Sequence, residues 1–257
     1  FVLRAFDDQD VPGPTDPLEH LKVVEIELAL ADLESCERHV EKARKAARGD
    51  KALQSEVDAL ERALVLLEEG IPLYRGGLSE DDRATLKPYF LLTNKPVLAV
   101  VNIGEDQLED ADAIAGPIAE ELDGAQIVPM CVQLEAEAAL LPADERAELL
   151  EGLGLGAGAL VTFVNAAYRL MGLRTFFTTG EKESRAWTFR AGATAPQCAG
   201  VIHTDFERGF IRAETIAYDV FREIGSWKEA RDQGKLRSEG KEYTVADADI
   251  MLFRFNV

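Results

Sequence analysis

No segment of this 257-residue sequence approaches the roughly 20 consecutive apolar residues that a membrane-spanning helix needs. The opening residues, F-V-L-R-A-F-D-D, lack the charged and apolar segments of a secretory signal peptide, so a cytoplasmic protein with no membrane partner is expected. Cysteine is scarce. Cys36, Cys131 and Cys198 show no metal-ligand spacing, and an odd count is poor material for a disulfide framework, so reduced, buried thiols are expected. The histidines, His20, His39 and His203, are too scattered for a metal centre or an acid–base pair, and His203 in V-I-H-T-D-F reads as an imidazole that holds a turn. Also missing is any G-x-x-x-x-G-K-[ST]. The glycines at 152, 154, 156 and 158 have no Lys after them, and Gly180-Glu181-Lys182 has no upstream glycine. No segment reads as a triphosphate cradle.

Apolar content of 47% is ample for one large or two ordinary cores. A net charge of −19 argues against nucleic-acid binding by the whole surface. Residues 1–172 carry 15 Lys+Arg against 34 Asp+Glu, whereas residues 173–257 carry 13 of each. The last third is therefore a separate electrostatic unit.

The most informative stretch is Lys95 to Asp106. Val97 to Val101 run without a polar break into Asn102, which predicts a strand buried on both faces, as in a parallel sheet covered by helices. The polar residues that follow, Asn102 and Glu105, sit where open α/β sheets bind ligands. Before it, Phe1 to Phe6 reads as a strand that starts in mid-domain, followed by a Pro/Gly-rich loop. Asp16 and Pro17 signal a helix start. Ile26, Ala29, Leu33, Cys36, Val40, Ala43 and Ala47 form a seam with spacings of three and four. Gly49 reads as a left-handed stop, and Leu53, Val57, Leu60, Leu64, Leu67 and Ile71 form a second seam. Two such helices predict an antiparallel coiled-coil hairpin, whose arm of about 30 residues would reach roughly 45 Å.

Arg38, Lys42, Arg44, Lys45, Arg48 and Lys51 crowd the turn of that hairpin. They read either as a solvated helix end favoured by the helix dipole or as an RNA or ribosome contact, with Arg44, Lys45 and Arg48 at its centre. Beyond, Ser79 is an N-cap signal, helices are expected over 112–122, 135–141, 143–151 and 159–171, and a strand over 125–132. After Gly172 the pattern becomes α+β. Strands are expected at 174–179 and 185–190 around a Gly180 turn, then at 210–216, 243–245 and 250–255, with a short helix over 194–203.

In guanine-reading NTPases the loop after the corresponding strand is Asn-Lys-x-Asp, whose carboxylate accepts from the ring N–H and the exocyclic amine. Here Asn102-Ile103-Gly104-Glu105 places an extra methylene there and weakens that pairing. So short a pattern equally fits an ordinary strand exit. The next strand ends at Val128-Pro129-Met130-Cys131-Val132, and the backbone N–H groups of Cys131 and Val132 are placed to meet a base edge from the other side. Cys131 has no basic neighbour in sequence to make its thiol reactive.

Arg185 to Ile216 (R-A-W-T-F-R-A-G-A-T-A-P-Q-C-A-G-V-I-H-T-D-F-E-R-G-F-I-R-A-E-T-I), the ending Y-T-V-A-D-A-D-I-M-L-F-R-F-N-V and Glu27 to Arg38 (E-L-A-L-A-D-L-E-S-C-E-R) resemble the YchF group of Obg-like ATPases over essentially the whole chain. The resemblance implies a partial P-loop NTPase-type parallel sheet (1–17 and 77–172), a helical hairpin insertion (18–76) and a C-terminal TGS domain, a ubiquitin-like β-grasp associated with RNA and translation (173–257). It implies that Asn102, Ile103 and Glu105 contact adenine and that ATP is preferred over GTP. It further implies a monomeric ATPase that binds the ribosome or its RNA, with Mg²⁺ ligands and hydrolytic machinery expected upstream of Phe1. This chain as written is then expected to be inactive, its parent active. A GTPase with relaxed base recognition and a non-catalytic ribosome or RNA interaction module remain the alternatives.

Overall fold

The computed structural model describes residues 1–156, 158–180 and 183–256, and the chain divides into two compact units, Phe1–Ala166 and Ala167–Val257. In the first, β1 (Val2–Arg4) is followed by α1 (Pro17–Ala47), α2 (Gln54–Glu68), α3 (Glu80–Leu86), β2 (Leu98–Asn102), α4 (Ala111–Glu121), β3 (Gln126–Met130), α5 (Val132–Ala139) and α6 (Ala143–Gly152). The division falls within α7 (Ala159–Leu170).

Helix α1 starts where its cap dictates: the Asp16 carboxylate accepts the Leu18 N–H at 2.8 Å and Pro17 fills the first turn, where no N–H is needed. Ala29, Cys36, Val40 and Ala43 pack against Val57, Leu60, Ala63 and Leu67 of α2. Burial of a leucine such as Leu60 contributes about 1.5–3 kcal/mol. The predicted seam is too long at its base, because Ile26 is 55% exposed. The second helix is also shorter than its seam: α2 has 15 residues, and Leu53 lies in the preceding 3₁₀ turn. Gly49 is not left-handed; α1 ends through Arg48 in the right-handed region, and the Asp50 side chain caps the 3₁₀ turn by accepting from Ala52 N–H at 2.9 Å.

One polar contact fixes α1 to the chain leading into the sheet. The buried Asp32 carboxylate accepts from Leu92 N–H, Thr93 N–H and the Thr93 hydroxyl, each at 2.7 Å. A carboxylate buried among apolar helices is tolerated because three donors replace its water.

The three strands of this unit form a parallel sheet in the order β1-β2-β3 among the described residues. Val101 pairs with Leu3 and Pro129, and Val100 with Val2 and Val128. Ala99, Val100 and Val101 are all buried, as the unbroken apolar run of β2 requires, and Ala99 and Val101 join Ala115 and Ile118 of α4 in one core. All three strands therefore end on the same edge, at Arg4, Asn102 and Met130.

The second unit contains β4 (Leu173–Thr179), β5 (Ser184–Arg190), α8 (Ala195–Ile202), α9 (Thr204–Arg208), β6 (Phe210–Ala217), α10 (Tyr218–Ile224), α11 (Trp227–Asp232), β7 (Arg237–Glu239) and β8 (Asp249–Phe255). They form a mixed sheet ordered β5-β4-β8-β6-β7, with β4 and β8 parallel and the other pairs antiparallel. Phe176, Phe189, Phe253, Cys198 and Ala199 build the core between one sheet face and α8. Glu181 and Lys182 of the predicted turn lie outside the described residues. Residues 243–245 are not a strand: Thr244 makes a single bridge to Thr194, and the Tyr243 hydroxyl is held at 2.6 Å by the buried Asp249 carboxylate. Gly209 is required by close approach, since a Cβ there would lie 2.0 Å from the Asn256 carbonyl oxygen. His203 closes a turn, its Nδ1 accepting from Asp205 N–H at 3.1 Å at the start of α9. All three cysteines are free and buried.

Candidate functional site

The carboxyl edge of the parallel sheet gathers the exits of β1, β2 and β3. Asn102, the last residue of β2, is half-buried, and its Oδ1 accepts the Val132 N–H at 3.2 Å across the gap to α5. That bond leaves the Asn102 amide free to present its Nδ2–H groups. The Val132 N–H, expected to face a ligand, is thus engaged inside the protein, while the Val132 side chain is exposed. Cys131 is buried at the cap position of α5, and its carbonyl accepts from Glu135 N–H at 3.2 Å.

Ile103 continues the edge inward. Its side chain is 2% exposed and belongs to the sheet core, and its N–H bonds the Met130 carbonyl at 3.1 Å. Any contact it makes with a ligand is therefore not through an exposed side chain. Glu105 is exposed at the first position of a 3₁₀ turn, Glu105–Asp110. The edge thus brings Asn102, Ile103, Cys131 and Val132 together around one strand exit, with the Glu105 carboxylate on the adjoining turn. Arg44, Lys45 and Arg48 are exposed at the far end of α1, and Arg44 pairs with Glu61 at 2.9 Å.

Two residues that hold this edge escape sequence reading. The Gln107 side chain accepts from Gly104 N–H at 2.8 Å and donates to the Ala5 carbonyl at 3.0 Å, so it ties the turn to the exit of β1, 102 residues away. A Gln three residues after the start of a turn is a capping signal that locates the first of these bonds. Arg4 is buried, and its guanidinium donates to the carbonyls of Phe6 (3.0 Å), Val11 (2.7 Å) and Asp8 (3.2 Å), folding the 5–12 loop back over the strand end. A lone arginine inside F-V-L-R-A-F is the only trace of this in the sequence.

Behind the edge, Arg75 bridges Glu25 of α1 at 2.8 Å and Glu121 of α4 at 2.5 Å, and the Tyr74 hydroxyl donates to Glu25. Burial, with the Glu25 carboxylate second, pushes the Tyr74 hydroxyl well above the ordinary tyrosine range. The helical pair is thereby anchored to the sheet layer through α4. Among the described residues no group of three or more His, Cys, Asp or Glu side chains is placed to hold a metal ion. The residues of this edge offer an amide, a carboxylate and backbone groups, a set suited to a planar heterocycle but not to a divalent cation or a triphosphate.

Comparison with known proteins bears on the family and the fold. Residues 173–256 match the family model YchF-GTPase_C, described as a protein of unknown function (DUF933). The "Ribosome-binding ATPase YchF" of Haemophilus ducreyi is 44% identical over 262 residues, spanning 100% of this chain and 72% of the relative; the Bacillus subtilis protein of the same name is 40% identical over the same shares. "Obg-like ATPase 1" of Rattus norvegicus is 36% identical over 99% of this chain and 67% of its own length. Among solved structures, the Schizosaccharomyces pombe YchF GTPase superposes with a TM-score of 0.85 at 32% identity, covering 98% of this chain and 71% of that one.

Proposed function

The chain belongs to the YchF family of Obg-like ATPases, and from that membership we propose that it supplies the base-reading half of an ATP site in a translation-associated switch protein. The observation that carries the reading is the Asn102 side chain, locked to Val132 N–H at the common exit of three parallel strands, with Glu105 exposed on the adjoining turn. The Nδ2–H groups of Asn102 are donors for a ring nitrogen, and the Glu105 carboxylate, an acceptor only, matches the exocyclic amine of adenine. Ile103 shapes the floor from within the core, and the backbone at Cys131 and Val132 closes the opposite side.

In this reading residues 1–17 and 77–172 belong to the nucleotide-binding domain, 18–76 form a coiled-coil hairpin, and 173–257 a TGS-type β-grasp. Mg²⁺ and the phosphates would be held by residues upstream of Phe1, where Mg²⁺ would neutralise phosphate charge during transfer to water. This chain's own residues bind and orient the base. The partner is the ribosome or its RNA, reached through Arg44, Lys45 and Arg48 and through the C-terminal unit. A second reading, GTP in place of ATP, is favoured by the similarity to the fission-yeast protein, which is named a GTPase.

ATP and GTP titrations of the full-length protein separate the two. ATP turnover is expected, and Glu105→Asp, which shortens the carboxylate arm, is expected to shift the ATP-to-GTP ratio of kcat/KM toward GTP by about tenfold, or ~1.4 kcal/mol. Turnover of neither nucleotide would sink the enzyme reading; a strong GTP preference in the unsubstituted protein would sink the adenine assignment.

A further inference from the structure

The mixed sheet of the C-terminal unit buries one face under α8, but only part of the other. On that second face Ile216, Ile250 and Phe177 are covered by α10 and α11, through Val220, Phe221, Ile224, Trp227 and Ala230. Farther along the same strands the alternation of β6 and β8 turns Arg212, Glu214 and Arg254 outward. Arg212 and Arg254 are direct cross-strand partners, and Leu252 lies opposite Glu214. Like charges directly opposed on a sheet repel, so this pair stabilises the fold poorly by itself.

A single carboxylate answers three guanidinium groups. Glu214 lies 2.9 Å from Arg231 of α11, 3.6 Å from Arg212 and 3.6 Å from Arg254. Among the described residues only the Arg231 contact is a hydrogen bond; the other two arginines meet Glu214 by charge alone. The Glu214 side chain is 13% exposed, whereas each arginine side chain is about half exposed. Three half-exposed arginines against one glutamate leave a local surplus of two positive charges in this cluster.

We propose that Arg212, Arg254 and Arg231, organised by Glu214, form a binding site for the phosphodiester backbone of RNA. The residue type favours phosphate: nine of the 13 basic residues in 173–257 are arginine, whose planar fork meets phosphate oxygens two at a time. Half-buried Leu252 lies opposite Glu214 between the charges, and the half-exposed guanidinium planes suit stacking by bases, which an acidic peptide does not supply. Glu214 holds the arginines in register before the ligand arrives and competes with it. The choice of RNA over other polyanions rests on the translation-associated reading above; the cation cluster does not.

The test is fluorescence anisotropy of a labelled 20-nucleotide RNA with the 257-residue chain across a salt series, with thermal melts of every variant. R212Q/R254Q is expected to weaken binding at least tenfold and to lower the slope of log K against log salt by about 1.4, two phosphate contacts' worth on single-stranded RNA. E214Q, which removes the competing carboxylate, is expected to strengthen binding about threefold. R212K/R254K, which keeps the charge but not the fork, is expected to fall between wild type and R212Q/R254Q. Unchanged binding by a folded R212Q/R254Q, or weakened binding by E214Q, overturns the site; if the double variant does not fold, E214Q decides. Labelled polyglutamate binding as tightly as RNA overturns the choice of ligand. Ribosome co-sedimentation is measured in parallel: its absence in the wild type counts against the functional reading, while RNA anisotropy still decides the site.

Discussion

Two carboxylates set two regions of the molecule apart. Asp32, on the inner side of α1, is buried and receives three protein donors at 2.7 Å. Glu214, on the outer face of the C-terminal sheet, faces three arginines and forms a hydrogen bond with one of them. In the first case the carboxylate's acceptors are met by donors inside the protein, and it has nothing left to offer a partner. In the second the donors outnumber what the fold can use. A polar group whose bonds are all met explains architecture; a surplus on an open face points to a ligand. The same logic separates the groups at the strand edge, where Val132 N–H is met by Asn102 and the Glu105 carboxylate stays exposed.

The largest effect is expected where the matching is complete. Asp32→Ala leaves the Leu92 and Thr93 N–H groups and the Thr93 hydroxyl without their acceptor and is expected to cost about 3 kcal/mol of stability. Urea midpoints at constant m-value measure it. Asp32→Asn, which keeps one accepting oxygen, is expected to lose roughly half of that. A cost below about 1 kcal/mol for the alanine variant would break the contrast, since surface ion pairs already reach that figure.

Next in size is a pH dependence in the same helical pair. Burial pushes the Cys36 thiol from 9.0 up to about 11, with the Asp32 and Glu37 charges adding to the rise. A folded-state value above the unfolded one means that the neutral thiol stabilises the fold fully below pH 9 and that this contribution fades as pH rises toward 11. Unfolding free energy is therefore expected to fall across that window, and Cys36→Ala is expected to flatten the fall while lowering stability at neutral pH through lost packing. Parallel curves for the two proteins would remove Cys36 from the account.

Much of the architecture is legible in the residues themselves. Asp16-Pro17 marks the start of α1, Ser79 caps α3 by accepting Asp82 N–H, and the unbroken apolar run into Asn102 marks a strand covered on both faces. What misleads is local content without its context. Gly49 suggests a left-handed stop, yet Asp50 supplies a cap that lets the backbone turn without one. Tyr243-Thr244-Val245 has strand-forming residues, but the Tyr243 hydroxyl follows Asp249 instead of a ladder. The short α10 and α11 and the polar strand β7 carry too few residues for a periodic signal. At the strand edge Asn102 and Glu105 stand out because polarity arrives abruptly there. Gln107 and Arg4 do not, because their bonds go to backbone carbonyls, which every residue has.

The smallest effect, and the one that sharpens the contrast most, concerns Glu214 itself. Glu214→Gln removes the counter-charge that Arg212, Arg231 and Arg254 share and leaves their mutual repulsion. Because all three guanidinium groups are half exposed, the cost is expected to be about 1 kcal/mol or less at low ionic strength. Salt should erase it: the screening length shrinks from about 10 Å at 0.1 M to about 3 Å at 1 M, so the Glu214→Gln deficit is expected to close between those concentrations. The Asp32→Ala deficit, made of hydrogen bonds out of reach of ions, is expected to persist. Urea midpoints for both variants at the two salt concentrations decide the matter. A Glu214→Gln deficit that ignores salt would mean that its arginines are held by packing and not by charge, and the surplus on this face would then be no guide to a ligand.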